Sequence, residues 1–415
     1  MQLIGPFKQI VTLANLPLRG KLSDDQLEII QDGGILFHED KIEKIGKFEE
    51  LESVLMSNGQ ESQVIRMKEV QVVLPAFTDC HTHICFGGNR ANDFAMRNAG
   101  KTYLEIAAAG GGIWSTVEHT RNASEEELLK TLLERVDYLI SLGITTIEIK
   151  SGYGLNAAQE LKMLRVIQKA KEKTSATIIA TCLAAHMKPR DFEGSGQEYL
   201  DYILNEILPK VKAENLAKRV DIFIEKSAFQ PGESKDFLLK AKDLGFEITV
   251  HADQFTPGSS RVAVEVGAKS ADHLEATADE DIEILAQSDT VAVALPGASL
   301  GLGEPFAPAR KLLDAGAILA IASDWNPGSA PMGNLMTQAS ILATYQKLST
   351  AEILAGITFR SAYALGLEDR GILAPGRKAD FVTYKTNNFQ NVLYKQGTLA
   401  PEAVYINGEK SYGRL

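Results

Sequence analysis

Seven histidines occur in the 415-residue chain, and five of them fall where short apolar runs end. His81 and His83 close the first such run of the central region, His186 follows the third, His251 the fifth and His273 the sixth, while Asp324 follows the eighth. His38 and His119 lie elsewhere. In an extended strand, residues i and i+2 face the same side, so His81-Thr82-His83 sends two imidazoles in one direction. Neutral imidazole is the commonest protein ligand for zinc and related metals. Taken alone the His-x-His pair is weak; joined by His251 and Asp324 it becomes a ligand set. Three histidines and one aspartate leave room for a water, whose pKa such a metal would bring from 15.7 to about 7.

A carboxylate at that site, Asp324, could orient the water and accept its proton. His273 could donate to an oxyanion as a carbonyl is attacked, or only support Asp324. Arg90, after Gly87-Gly88-Asn89 in the loop following the first run, has the planar fork that captures a carboxylate, or is a surface arginine. Tyr103 and Tyr153 are open in the same way, with Tyr153 better placed after the second run. Residues 95–102 resemble a loose phosphate loop but lack the first glycine and a preceding strand, so they are set aside. Cys80 and Cys85 flank the histidine pair and read as packed thiols.

Eight strands must carry these residues: 74–82, 145–150, 177–184, 220–225, 247–250, 270–272, 290–295 and 318–323. They alternate with helical patterns, as βα units do. Ser124 and Glu127 have capping-box spacing before a helix near 125–142, and Asn156 can cap another near 157–173. Eight units would close a (β/α)8 barrel, an α/β fold whose chemistry sits at the carboxyl ends of the strands. Residues 1–73 and 367–415 read as β structure with no evident helix. The expected organisation is therefore a barrel over 74–366 and a small β-sandwich-like domain from both termini. Hydrophobic residues make up 45% and charged residues 23%, an ordinary globular composition. The net charge of −11 argues against nucleic acid and anionic membrane as partners and leaves a small-molecule substrate. There is no apolar run long enough to span a membrane, and residues 1–20 lack the continuous apolar stretch expected of a secretory signal. Three cysteines do not make a disulfide framework, and a reducing cytoplasm is the expected location.

Pro75-Ala76-Phe77-Thr78-Asp79-Cys80-His81-Thr82-His83 resembles the first-strand motif of the amidohydrolase superfamily. Gly371-Ile372-Leu373-Ala374-Pro375-Gly376-Arg377-Lys378-Ala379-Asp380 is similar to its C-terminal signature. Gly87-Gly88-Asn89-Arg90, Lys150-Ser151-Gly152-Tyr153-Gly154 and Asp324-Trp325-Asn326-Pro327-Gly328 resemble a branch that opens an imidazolone ring in histidine degradation. The resemblance implies one divalent metal, zinc or iron, on His81, His83, His251 and Asp324. It implies catalytic roles for Asp324, His273 and Gln254, and substrate contacts from Arg90, Tyr103, Tyr153, His186, Asn326, Gly328 and Ser329. Lys226, at the fourth strand where a two-metal subclass carries a modified lysine, is expected to be unmodified. The implied reaction is hydrolysis of 4-imidazolone-5-propanoate to N-formimidoyl-L-glutamate, and analogy suggests a homodimer. The alternative is a single-metal deaminase or cyclic amidase for another small heterocycle. Gln254 weakens the deaminase reading, since related deaminases have a titratable Glu there.

Overall fold

The computed structural model describes residues 1–57 and 62–413. The chain starts with β1 (Gln2–Val11), β2 (Ile29–His38), β3 (Lys41–Lys47), β4 (Gln63–Arg66) and β5 (Val72–Pro75). The central strands are β6 (Phe77–Asp79), β7 (Ile144–Lys150), β8 (Thr177–Ala185), β9 (Arg219–Phe223), β10 (Glu247–Ala252), β11 (Ser270–His273), β12 (Val291–Ala294) and β13 (Leu319–Ile321). The chain returns through β14 (Phe381–Tyr384), β15 (Ala403–Ile406) and β16 (Glu409–Gly413).

β6 to β13 pair in sequence order, every neighbour parallel. The ladder does not continue from β13 to β6. Instead the barrel closes just beyond the strand ends, where Thr82 bridges Trp325 in parallel. Across that seam Asp324 N–H donates to the His81 carbonyl at 3.0 Å, and His83 N–H donates to the Trp325 carbonyl at 2.9 Å. All eight expected strands are present. The first differs in form: the expected single run over 74–82 breaks at Ala76, whose N–H donates to Asp380 O. Val72–Pro75 pairs with the terminal sheet, and only the next segment joins the barrel.

The terminal segments form one mixed sheet in the order β16-β15-β14-β5-β1-β2-β3, with β4 also on β1. Alternation sorts its side chains by face. Val72, Leu74, Val382 and Val404 join the barrel core, while Val73, Phe381, Ala403 and Tyr405 pack with Ile4, Phe7 and Ile35 on the other side. The terminal regions do contain helix, contrary to expectation. Phe48–Ser57 buries Phe48, Leu51 and Leu55 against Leu3 and Leu36, a three-residue stripe short enough to pass for strand and turn.

The two long helices foreseen are there. Glu125–Ser141 starts at Ser124, which accepts from Glu127 N–H while the Glu127 carboxylate accepts from Ser124 N–H. Ala157–Lys171 starts at Asn156, which accepts from Gln159 N–H. Each buries an apolar stripe against the barrel, which fixes the strands whose ends carry the site.

Candidate active site

Past the end of β6, His81 and His83 continue in extended chain held by the seam, and their side chains converge as parity requires. His81 Nε2 lies 3.2 Å from His83 Nε2, and His251 Nε2 lies 3.3 Å from His83 Nε2. Asp324 Oδ1 is 3.5 Å from His81 Nε2 and 3.4 Å from His83 Nε2. A tetrahedral centre with nitrogen ligands at 2.0–2.1 Å separates its ligand atoms by about 3.3 Å. The spacing of the three histidines therefore fits one such ion, and Asp324 lies within the same distance of two of them.

Their outer atoms point the same way. His81 Nδ1 is 2.7 Å from Asp272 Oδ2, in hydrogen-bond geometry, and His251 Nδ1 is 2.9 Å from Asp221 Oδ2 as an ion-pair contact off the hydrogen-bond line. A carboxylate at Nδ1 favours the tautomer with its proton there, leaving a lone pair on Nε2. Two Nε2 lone pairs thus face a third imidazole nitrogen, His83 Nε2, at 3.2–3.3 Å, where either its own proton or a shared cation can satisfy them. Burial favours the neutral form the ligands need. It holds His83 and His251 near a pKa of about 3 and pushes His81 down as well. His83 Nδ1 is buried without a hydrogen-bond partner.

His273, at the end of β11, and Asp324, just beyond β13, occupy the left-handed region with φ of 92° and 52°. Such a backbone is costly for His and turns its side chain off the regular strand direction, a form of strain that clusters at functional sites. With His81 they form a second group of metal-competent atoms within 4.8 Å of one another. Burial opposes a charge on His273, but Glu275 and Asp324 outweigh it and raise its pKa above the usual histidine value. Burial also raises Asp324, against the pull of His273.

The metal-competent cluster opens into a cavity of about 630 Å³ lined by Arg90, Tyr153, His186, Gln254, Gly328 and Ser329 among others. Arg90 is anchored through Nε to Asp93 Oδ2 at 2.7 Å, and the same oxygen accepts from Gly112 N–H at 2.8 Å. A β-carbon at position 328 would overlap Arg90 Nη1, so glycine there lets the guanidinium lie on the backbone. Asn326 ties that same wall together. Its Nδ2 donates to Asp324 Oδ2 at 3.0 Å and to Ser329 Oγ at 2.9 Å, and its Oδ1 accepts from Gly328 N–H and Ser329 N–H, both at 2.8 Å.

Behind a register irregularity near the end of β8, His186 stacks on His83 with ring centroids 5.4 Å apart and an interplanar angle of 22°. Its Nδ1 lies 3.0 Å from Gly152 O. Tyr153 is buried beside both histidines. The loop carrying it is organised by Glu160, a fully buried carboxylate that accepts from Gly152, Gly154 and Leu155 N–H at 3.2, 2.8 and 2.7 Å. Tyr103 begins the helix Tyr103–Ala108, but its side chain lies outside the described residues. Lys226 is exposed and belongs to neither metal-competent group. The three cysteines are buried free thiols, and His38 and His119 are exposed.

The sequence reading missed the carboxylates behind the ligands, Asp221 and Asp272, and the pair Glu148 and Lys150 beneath them. All four are buried. The signal was available: each is a charged residue inside a short apolar strand, where parity aims it inward. Asp93, Glu160 and Glu275 were also passed over, since a lone carboxylate in a helix or loop carries no such mark.

The amidohydrolase family pattern matches residues 72–410. Imidazolonepropionase of Bacillus cytotoxicus is 40% identical over 391 residues, 94% of this chain and 91% of its own. That of Bdellovibrio bacteriovorus is 39% identical over 399 residues, 95% of this chain and 92% of its own. Among solved structures, atrazine chlorohydrolase of Arthrobacter aurescens complexed with zinc has a TM-score of 0.72 at 18% identity, covering 99% of this chain and 95% of that one. An adenosine deaminase of Xanthomonas campestris with bound zinc has a TM-score of 0.71 at 16% identity, covering 99% and 93%. At those identities the likeness speaks for the barrel and its appended sheet. The sequence relatives reach further, and the chain belongs to the amidohydrolase family and, within it, to the imidazolonepropionases.

Proposed function

We propose that the chain hydrolyses the ring C–N bond of 4-imidazolone-5-propanoate, giving N-formimidoyl-L-glutamate. The observation that carries this reading is similarity to imidazolonepropionases along 94% of the chain, joined to a cavity with an arginine at one side and, at its base, a three-histidine group with Asp324 beside it. His81, His83, His251 and Asp324 would hold one divalent ion, zinc or iron. When bound, that ion supplies Lewis acidity, which makes water a nucleophile near neutral pH.

The remaining steps belong to side chains. Arg90, fixed by Asp93, pairs with the propanoate carboxylate, and Tyr153 and His186 hold the ring with its carbonyl carbon over the histidine group. Gln254 and the Asn326–Ser329 segment close the walls. Asp324 takes a proton from the attacking water through its carboxylate, which Asn326 keeps in position. His273 donates to the oxygen of the former carbonyl as negative charge develops there. Collapse breaks the C–N bond, and Asp324 returns the proton to the departing ring nitrogen. One water is consumed, with its oxygen in the new carboxylate. No helix among the described residues is long and apolar enough to cross a membrane.

The test is turnover of freshly prepared imidazolone propanoate by metal-loaded protein, followed by loss of its ultraviolet absorbance and mass identification of the product. Conversion that stops with chelator and returns with metal is expected. Failure to convert by protein holding one ion per chain overturns the substrate assignment. Release of ammonia from another heterocycle would replace it with a deaminase.

A further inference from the structure

Beneath the histidines lies a charged cluster that does not line the cavity described above. Glu148 and Lys150 are two residues apart on β7 and point to the barrel interior, and Lys150 is 0% exposed. Lys150 Nζ lies 2.8 Å from Glu148 Oε1, 2.8 Å from Asp221 Oδ2 and 3.8 Å from Asp272 Oδ2. The last two atoms are the ones that face the imidazoles: Asp221 Oδ2 is 2.9 Å from His251 Nδ1, and Asp272 Oδ2 is 2.7 Å from His81 Nδ1. One ammonium thus faces two carboxylates from β9 and β11, each backing a different histidine.

We infer that Lys150 is a positioning residue for the metal centre, acting through Asp221 and Asp272 to fix the tautomer and direction of His251 and His81. The inference rests on the metal reading given above.

The physical reason is charge balance. Burying a carboxylate is costly unless it is paired, and Asp221, Asp272 and Glu148 are all at most 1% exposed. Asp221 Oδ1 is taken by backbone, accepting from Ile222 and His251 N–H at 2.7 and 3.2 Å. Asp272 Oδ2 also accepts from Thr249 Oγ1 at 3.1 Å. Without the ammonium, two negative groups on strands separated only by β10 would lie close together with no cation between them. One would rotate away, and its histidine would lose the carboxylate that orients it toward the metal position. A lysine that only filled space would need no such pairing, and its loss would leave the imidazoles as they are.

The test is a metal-binding cycle on the full chain. Zinc affinity is measured by competition with a chelator, and the visible spectrum of the cobalt(II) form is recorded. The proteins are wild type, Lys150→Met, Asp221→Asn and the double variant. Each single change is expected to weaken zinc by about 10- to 100-fold, the usual effect of losing a group behind a ligand. The double variant should lose less than the product of the two single losses, because Asp221→Asn already cuts one of the two links that run through Lys150. The cobalt spectrum of Lys150→Met should shift as the ligand field changes. Unchanged affinity in Lys150→Met, or losses that multiply in the double variant, would overturn the inference. Should Lys150→Met not fold, Lys150→Gln decides, since it keeps a polar side chain and removes the charge. Zinc affinity there is expected to fall about 10- to 100-fold, and affinity within about twofold of wild type would overturn the inference. Wild-type protein that binds no zinc would instead overturn the metal reading, before any variant is compared.

Discussion

The floor of the cavity and its rim are built on different principles. The floor consists of strand residues and strand ends: Lys150, Asp221, His251 and Asp272 are all in β-ladders and all buried. The rim consists of loops held by single buried carboxylates. Asp93 fixes Arg90, Glu160 fixes the Tyr153 loop, and Glu225 accepts from Phe255 and Thr256 N–H at 3.0 and 3.1 Å beside Gln254. The lesson is a division of labour. The floor is rigid because the barrel is, and on the reading proposed above it carries the chemistry. The rim can be re-tailored loop by loop, and on that reading it selects which ring enters.

Variants can break that division. The largest effect is expected for Asp324→Asn, which keeps shape but removes the base: kcat should fall by at least about 100-fold, the lower end of general acid–base contributions. A near-normal kcat would move the proton transfer to another group. Next comes Arg90→Met at the rim, which should raise KM by about 10- to 100-fold with kcat little changed, the worth of a charged hydrogen bond. A fall in kcat with KM preserved would make Arg90 part of the floor's chemistry. Gly328→Ala sharpens the point without altering charge. Its methyl displaces the guanidinium, so KM should rise about tenfold, one hydrogen bond's worth. An unchanged KM would place the carboxylate elsewhere. Smallest is Glu160→Gln, which keeps an acceptor for part of the loop. Stability should drop by about 1–3 kcal/mol, read by denaturant unfolding, and KM should rise only a few-fold. A large loss of kcat would show that this loop reaches the reacting atoms.

The same division decides what the sequence discloses. Barrel strands are short apolar runs with turn signals at each end, so all eight were legible, and so were histidines sitting at their ends. β1 was not, because Gly5, Pro6 and Lys8 interrupt it, and β3 was hidden by its lysines. Both survive by pairing within a sheet, which sequence periodicity does not report. Arg90 and Tyr153 could be placed in loops, but what holds them could not. Asp93 acts three residues from Arg90 within the chain, whereas Asp221 meets His251 only through adjacent strands. Partners of the second kind become visible only once strand order is known.

The seam between β6 and β13 has a consequence for assembly. Asp324 and His81 are joined by a backbone hydrogen bond although nearly the whole barrel separates them along the chain. Contacts of such long range form late, since the loop entropy must be lost before they yield anything. The reaction centre is therefore among the last parts of the molecule to come into being. Truncated or half-folded chains would carry the histidine pair without its aspartate and would be inert. A cation shared by His81, His83 and Asp324 would also clasp the first strand to the last. The amides of His83 and Asp324 should then exchange with solvent more slowly in the metal-loaded protein than in the stripped one, reporting closure of the ring itself.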